Sequence, residues 1–241
     1  MRNMLRVTGE HRVDFLQGLV TNDVRRAPVW AALLTAQGKY LADFFVIPQG
    51  EALLIDVDER LAGDLLRRLS MYKLRAAVAV EEADLRVSRG TGPPPEGAIP
   101  DPRHPAMGWR LYGEDGADDG TDWDAIRVEH TIPETLAELI PNETFILEAG
   151  FERLHGVDFR KGCYVGQEVT ARMKHKTELR KGLVTVAVEG AAPVGTPVLM
   201  ADGREAGTLF TQAGGRGIAH MRFDRMEGPL TAGDARISAI G

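Results

Sequence analysis

From Lys181 onward the chain has only one texture. The segments "KGLVTVAVEG", "TPVLMADGREAGTLFT" and "GIAHMRF" are short runs of strand-forming residues. Glycine-bearing turns such as Asp202-Gly203 and Gly214-Gly215 separate them. Short strands with turns and no helical spacing point to a small all-β domain, a barrel, over residues 182–241.

Residues 1–181 read differently. "MLRVTG" is a short strand, and "EHRVDFLQGLV" carries Val13, Leu16 and Leu19 at helical spacing. The polar triplet "TND" (21–23) ends that helix. "WAALLTAQGKYLADFFVIPQGEALLIDV" predicts three strands joined by turns at Gln37-Gly38 and Pro48-Gln49-Gly50. Asp58 is placed to cap a helix whose Leu61, Leu65, Leu66 and Leu69 form one stripe. "AAVAVEEADLRV" and "AMGWRLYG" read as strands, and "DWDAIRVEHTI" as a helix with Ile126 and Val128 partly inward. Residues 88–105 hold six of the thirteen prolines and are expected to form a surface connection between two subdomains. The fold class is therefore α+β, with an α+β domain over 1–181 and a barrel over 182–241.

Several chemistries fail at this level. The acidic loop "EDGADDGTDWD" puts Ala117 and Ile126 where an EF-hand needs oxygen ligands. A single cysteine with no zinc-type spacing builds neither a zinc nor an iron–sulfur site unaided, so no resident metal is expected. No apolar run has bilayer-crossing length, and "MRNMLRVTGEHRVDF" turns polar too early for a signal peptide. One cysteine forms no internal disulfide, so the expected setting is the reducing cytoplasm. The net charge of −6 argues against direct nucleic-acid binding.

Charge is uneven, however. Residues 160–181 hold seven Lys/Arg against two acids. Such a strip is either a surface for a small anionic ligand or a solvated helix face. It contains the only cysteine, Cys163, beside Arg160 and Lys161 and just before a predicted helix start. Cations and a helix N-terminus favour thiolate, whereas a buried cysteine is inert, and both readings stay open. Tyr164 is equally well a core tyrosine. Gln167 and Glu168 are either an N-terminal helix pair or ligand contacts. Asp43, on a strand between apolar neighbours, is paired, at an edge or in a pocket. Arg127 has Asp124 and Glu129 as helix-surface partners.

The stretch "KGCYVGQEVTAR" (161–172) resembles the signature of the YgfZ family, folate-binding proteins of iron–sulfur protein maintenance. Their pattern is K-G-C-Y-x-G-Q-E. Lys161, Gly162, Cys163, Tyr164, Gly166, Gln167 and Glu168 fill every fixed position. "FLQGLVTNDV" (15–24) and "WAALLTAQGKYLADFFV" (30–46) resemble segments shared by YgfZ and the T-protein of the glycine cleavage system. "WDAIRVE" (123–129) is similar to the T-protein's R-D-x-L-R-x-E helix, with Trp123 replacing its first arginine. "IPNETFI" (140–146) is similar to an I-P-x-E segment.

The resemblance implies intertwined folate-binding α+β subdomains followed by a C-terminal barrel, around a central folate site. It implies tetrahydrofolate, with a glutamate or polyglutamate tail, as cofactor, and iron–sulfur client or assembly proteins as partners. It casts Cys163, Lys161 and Tyr164 as the reactive group. Asp43, Arg127, Glu129, Gln167, Glu168 and Arg172 become the folate contacts. The implied role is a folate-binding accessory factor for iron–sulfur assembly or repair. Against a T-protein-type aminomethyltransferase, the paired acids of its hairpin align here with Ala42 and Asp43, so one is missing. A third reading is a binding module in which Cys163 is simply buried.

Overall fold

Strands β2 (Val29–Leu34), β3 (Tyr40–Gln49) and β4 (Ala52–Asp58) run almost without polar interruption because both faces of their sheet are covered. They join β1 (Arg2–Thr8) and the edge strand β5 (Ala79–Ala83) in the antiparallel order β2-β3-β4-β1-β5. One face presents Leu5, Val7, Ala31, Leu33, Phe44, Val46, Ile55 and Val57 to two helices, α1 (Arg12–Gln17) and α2 (Glu59–Tyr72). The leucine stripe of α2 docks as its spacing predicts: Leu65 and Leu69 are buried, with Ala62 beside them. Asp58 caps that helix through Arg60 N. Pro48 and Gln49 belong to β3, so the turn after it is shorter than expected.

The other face of the sheet carries Trp30, Asp43, Phe45 and Asp56. In this computed structural model, which describes every residue but Thr177 and Gly241, arginines cover it. The guanidinium of Arg110 lies 3.9 Å from the Phe45 ring centroid, and that of Arg103 lies 4.9 Å from it. These arginines come from residues 86–113, folded as the small sheet β6-β8-β7 from β6 (Arg86–Gly90), β7 (Ile99–Pro100) and β8 (Trp109–Gly113).

The proline-rich stretch is therefore more than a surface connection. Asp101 and Arg103 are buried and paired at 2.9 Å, and Arg110 bridges Asp101 (3.3 Å) to Asp56 (2.6 Å). Burial alone would push the Asp56 carboxyl up, but Arg2 and Arg110 outweigh it and hold it below the ordinary carboxylate range. Composition hid this, because prolines mark loops without saying which of their neighbours turn inward.

The chain divides into two compact units. The first is Met1–Thr121 with Glu152–Val169, and the second is Asp122–Phe151 with Thr170–Gly241. The second unit contains α3 (Trp123–His130) and a closed barrel. The barrel strands are β9 (Lys181–Glu189), β10 (Thr196–Met200), β11 (Glu205–Ala213), β12 (Arg216–Arg222), β13 (Leu230–Ala232) and β14 (Ala235–Ala239). All are antiparallel, in the cyclic order β10-β11-β12-β9-β14-β13. Val186, Val188, Val198, Leu209, Met221 and Ile237 fill its interior. The expected barrel span of 182–241 ends on Gly241, which lies outside the described residues.

Candidate functional site

The cysteine sits on a loop, just ahead of α4 (Gln167–Lys176), and is exposed. Its neighbours in the motif do separate jobs. Gly162 is exposed too. Lys161 and Tyr164 are 7% and 6% exposed, so the loop alternates between anchors and an open crest.

The ammonium of Lys161 donates to the carbonyl of Gln17 (2.7 Å) and to that of Val20, at the C-terminal end of α1. Nζ also lies 5.1 Å from the centroid of the Tyr164 ring. Burial pulls the Lys161 pKa down to about 8, against the opposing pull of Asp23 and Asp158. The sequence pattern expects this cation to serve the thiol. Its two hydrogen bonds instead serve backbone carbonyls.

At the far end, Gly166 has φ +83°, and a Cβ there would stand 2.6 Å from Thr35 O and 3.2 Å from Gly38 Cα. The loop thus lies directly against the Gln37-Gly38 turn.

Asp43 is paired. Its carboxylate accepts from Trp30 Nε1 at 2.9 Å and from the Tyr40 hydroxyl at 2.7 Å, and the residue is 3% exposed. A bulge between Leu33 and Leu34 brings Tyr40 opposite Leu34, and so within reach of Asp43. Of the three settings the strand pattern left open, pairing is the one observed.

Arg127 lies in the second unit and is 4% exposed. It pairs with Asp124 at 2.7 Å, as the helical spacing suggests, but its main partner is the fully buried carboxylate of Glu138. It donates as well to Ile132 O (3.1 Å) and Thr211 Oγ1 (3.4 Å). Glu138 in turn accepts from Thr211 Oγ1 and from Glu134 N. The guanidinium ties α3 to the following loop and to β11, so its surface pairing with Glu129 does not form. Glu129 itself is exposed. Gln167 and Glu168 are the first two residues of α4, and Arg172, Lys174 and Lys176 are exposed along it.

Apart from Glu129 and Arg172, both exposed, the proposed residues fall into two sets. Lys161, Cys163 and Tyr164 share one loop, with Gln167 and Glu168 following it. Asp43 and Arg127 are each bound up in their own buried contacts.

Sequence reasoning missed the socket beneath the loop. Thr21 donates to Gly156 O at 2.7 Å, Asn22 to His155 O at 2.6 Å, and Asp158 N to Thr21 O at 3.1 Å. "TND" reads correctly as a helix end, but nothing local says that its side chains turn inward. Also missed is a cleft of about 230 Å³ in the second unit. There Glu148 pairs with His220 (3.1 Å) and Lys181 (3.5 Å) beside Phe210. Among the described residues no cluster of His, Cys, Asp or Glu is fit to hold a metal ion. No described helix is long and apolar enough to cross a membrane.

Comparison with known proteins supplies a second line. A family model described as the CAF17 C-terminal beta-barrel domain matches residues 180–240. The chain is 32% identical to the mitochondrial iron–sulfur cluster assembly factor IBA57 of Mus musculus, over 95% of this chain and 78% of that one. The human protein of the same name gives 32% identity, with 95% and 78% coverage. Among solved structures, the glycine cleavage system aminomethyltransferase T of Bartonella henselae superposes with a TM-score of 0.76 over 98% of this chain and 81% of its own. The identity is 11%, so that likeness concerns the fold. The cytoplasmic expectation is corrected here, because these IBA57 relatives are mitochondrial proteins. A chain with one cysteine can form no internal disulfide wherever it resides, so the cysteine count does not select a compartment.

Proposed function

The chain belongs to the CAF17/IBA57 family of iron–sulfur cluster assembly factors, to which its YgfZ-like signature also points, and from that premise we propose that it serves cluster assembly through the thiol of Cys163. The observation that carries this reading is the loop: the chain's one cysteine is exposed at its crest while Lys161 and Tyr164 on either side are buried. A thiol held out on fixed flanks can meet a partner protein without the chain rearranging. The partners are the assembly proteins that deliver or receive the cluster, which is cargo here.

Reduced folate is the small-molecule ligand of this proposal. Its support is the family resemblance and the exposed cations Arg172, Lys174 and Lys176 of α4, which suit an anionic glutamate tail. Asp43 is a weaker candidate for the pterin contact, because the residue is 3% exposed and already accepts from Trp30 Nε1 and the Tyr40 hydroxyl. Gln167 and Glu168 are the remaining polar candidates. An aminomethyltransferase reading has the fold alone in its favour.

Two measurements test the proposal. Cells lacking the endogenous factor, supplied with Cys163→Ala, should lose activity of their iron–sulfur enzymes, and full rescue would end the role of the thiol. Calorimetry with tetrahydrofolate and its polyglutamates should give tighter binding with a longer tail and weaker binding as salt rises. No heat at millimolar ligand would remove folate.

A further inference from the structure

We infer that Lys161 is a positioning residue: it fixes the Cys163 loop by capping the carbonyl end of α1, and its charge is spent there rather than on the sulfur. The functional weight of this inference rests on the proposed role of Cys163; the geometry does not.

Helix α1 has only six residues and ends at Gln17, and the carbonyls at a helix C-terminus need partners from outside the helix. Gly18 N reaches back to Asp14 O, and Leu19 N and Val20 N both reach Leu16 O. The Gln17 carbonyl receives the Lys161 ammonium at 2.7 Å, and the Val20 carbonyl receives it as well. A cation is the favoured partner at this end of a helix, since the peptide dipoles leave partial negative charge there. An ammonium is compact and carries three donors, which suits two converging carbonyls better than a planar guanidinium does.

The contact joins residues 144 and 141 positions apart in sequence. It is also the last of a series. His155 O, Gly156 O and Asp158 N are bound in turn by Asn22, Thr21 and the Thr21 carbonyl. The chain from 155 to 161 is thus laced onto residues 17–22, and Gly166 is seated against Thr35 at the other end. Gly162 and Cys163 are what lies open between these two fixings.

The charged groups around the ammonium agree with an anchoring role. Burial, with Arg25 acting in the same direction, outweighs the charge-favouring Asp23 and Asp158 and lowers the pKa to about 8. A cation meant to act on a solvent-exposed sulfur has no need to be buried against this penalty.

The test uses the full chain with Lys161→Met, Lys161→Arg and Thr21→Val. Amide exchange is read over 18–23 and 162–166, and Cys163 alkylation by iodoacetamide is read across pH. Anchoring predicts that Lys161→Met raises exchange at least tenfold in both segments together. It should change the limiting alkylation rate at high pH by threefold or more while the profile keeps its midpoint. Lys161→Arg should recover part of the protection. Thr21→Val, which alters no charge, should loosen the same two segments and carries the test should Lys161→Met fail to fold. A midpoint that moves upward with exchange unchanged would assign Lys161 to the sulfur and overturn the inference. So would faster exchange confined to 162–166. Full rescue by Cys163→Ala would instead end the proposed use of the thiol and leave the amide result standing.

Discussion

The thiol loop and the Arg127 helix both enter through family resemblance, and the fold treats them in opposite ways. In the loop the reactive atom is outside and its neighbours are buried. On α3 the charged group is inside, and Asp124, Glu138, Thr211 and a backbone carbonyl take up its donors. A group free to act on something else must be exposed on fixed supports. A group whose hydrogen bonds are already made is holding structure. The loop meets the first description and Arg127 the second.

The contrast breaks hardest at Glu138. Glu138→Gln removes the buried counter-charge of Arg127, and losing one member of a buried pair typically costs about 3–5 kcal/mol. Denaturant unfolding should show a loss of this order. A loss below about 1 kcal/mol would mean that Arg127 is available for a ligand after all.

Gly166→Ala comes next, at roughly 2–3 kcal/mol. Its positive φ strains any side chain, and the new Cβ meets backbone, which cannot move aside. Thermal unfolding checks the loss. Cys163 alkylation should also change in this variant, since Gly166 ends the same loop.

Lys161 sharpens the comparison through pH. Its pKa is about 8 folded against 10.5 for an ordinary lysine, so between these values the unfolded chain binds more protons. Stability therefore carries the full cost of the buried charge below pH 8 and recovers it as pH rises toward 10.5. The recovery is up to about 3 kcal/mol. Lys161→Met should lack that rise, and parallel curves for the two proteins across this window would contradict it.

Much of the fold was legible because apolar patterning is local. Leu65 and Leu69 reported α2, alternation and glycine turns reported the barrel, and Asp58 marked its own cap. The polar interior was not legible. Asp43, Asp101, Arg103 and Glu138 are buried because of partners on other segments, and a charged residue looks the same in sequence whether its partner is water or an arginine. The motif gave the identity of the loop residues, but not that Lys161 turns away from solvent to the end of α1. That contact depends on a chain closure far beyond any local window.

The smallest expected effect on stability is also the most pointed. Gly162 is not among the residues with positive φ, it is exposed, and a Cβ built on it meets nothing within 4 Å. Nothing in the packing of the described residues demands glycine there, unlike at Gly166 four residues on. Gly162→Ala should therefore melt at the same temperature or slightly higher, since alanine narrows the unfolded ensemble by about 0.4–1 kcal/mol. If the side chain at this position matters, it must matter to something that approaches from outside. The variant is then expected to keep its melting point while supporting iron–sulfur enzymes poorly in cells, because a methyl group beside Cys163 stands in the path of a partner. Full support would mean that the crest tolerates bulk and that contact is made through the sulfur alone. A drop in melting point would show that the loop is packed more closely at Gly162 than its open surroundings indicate.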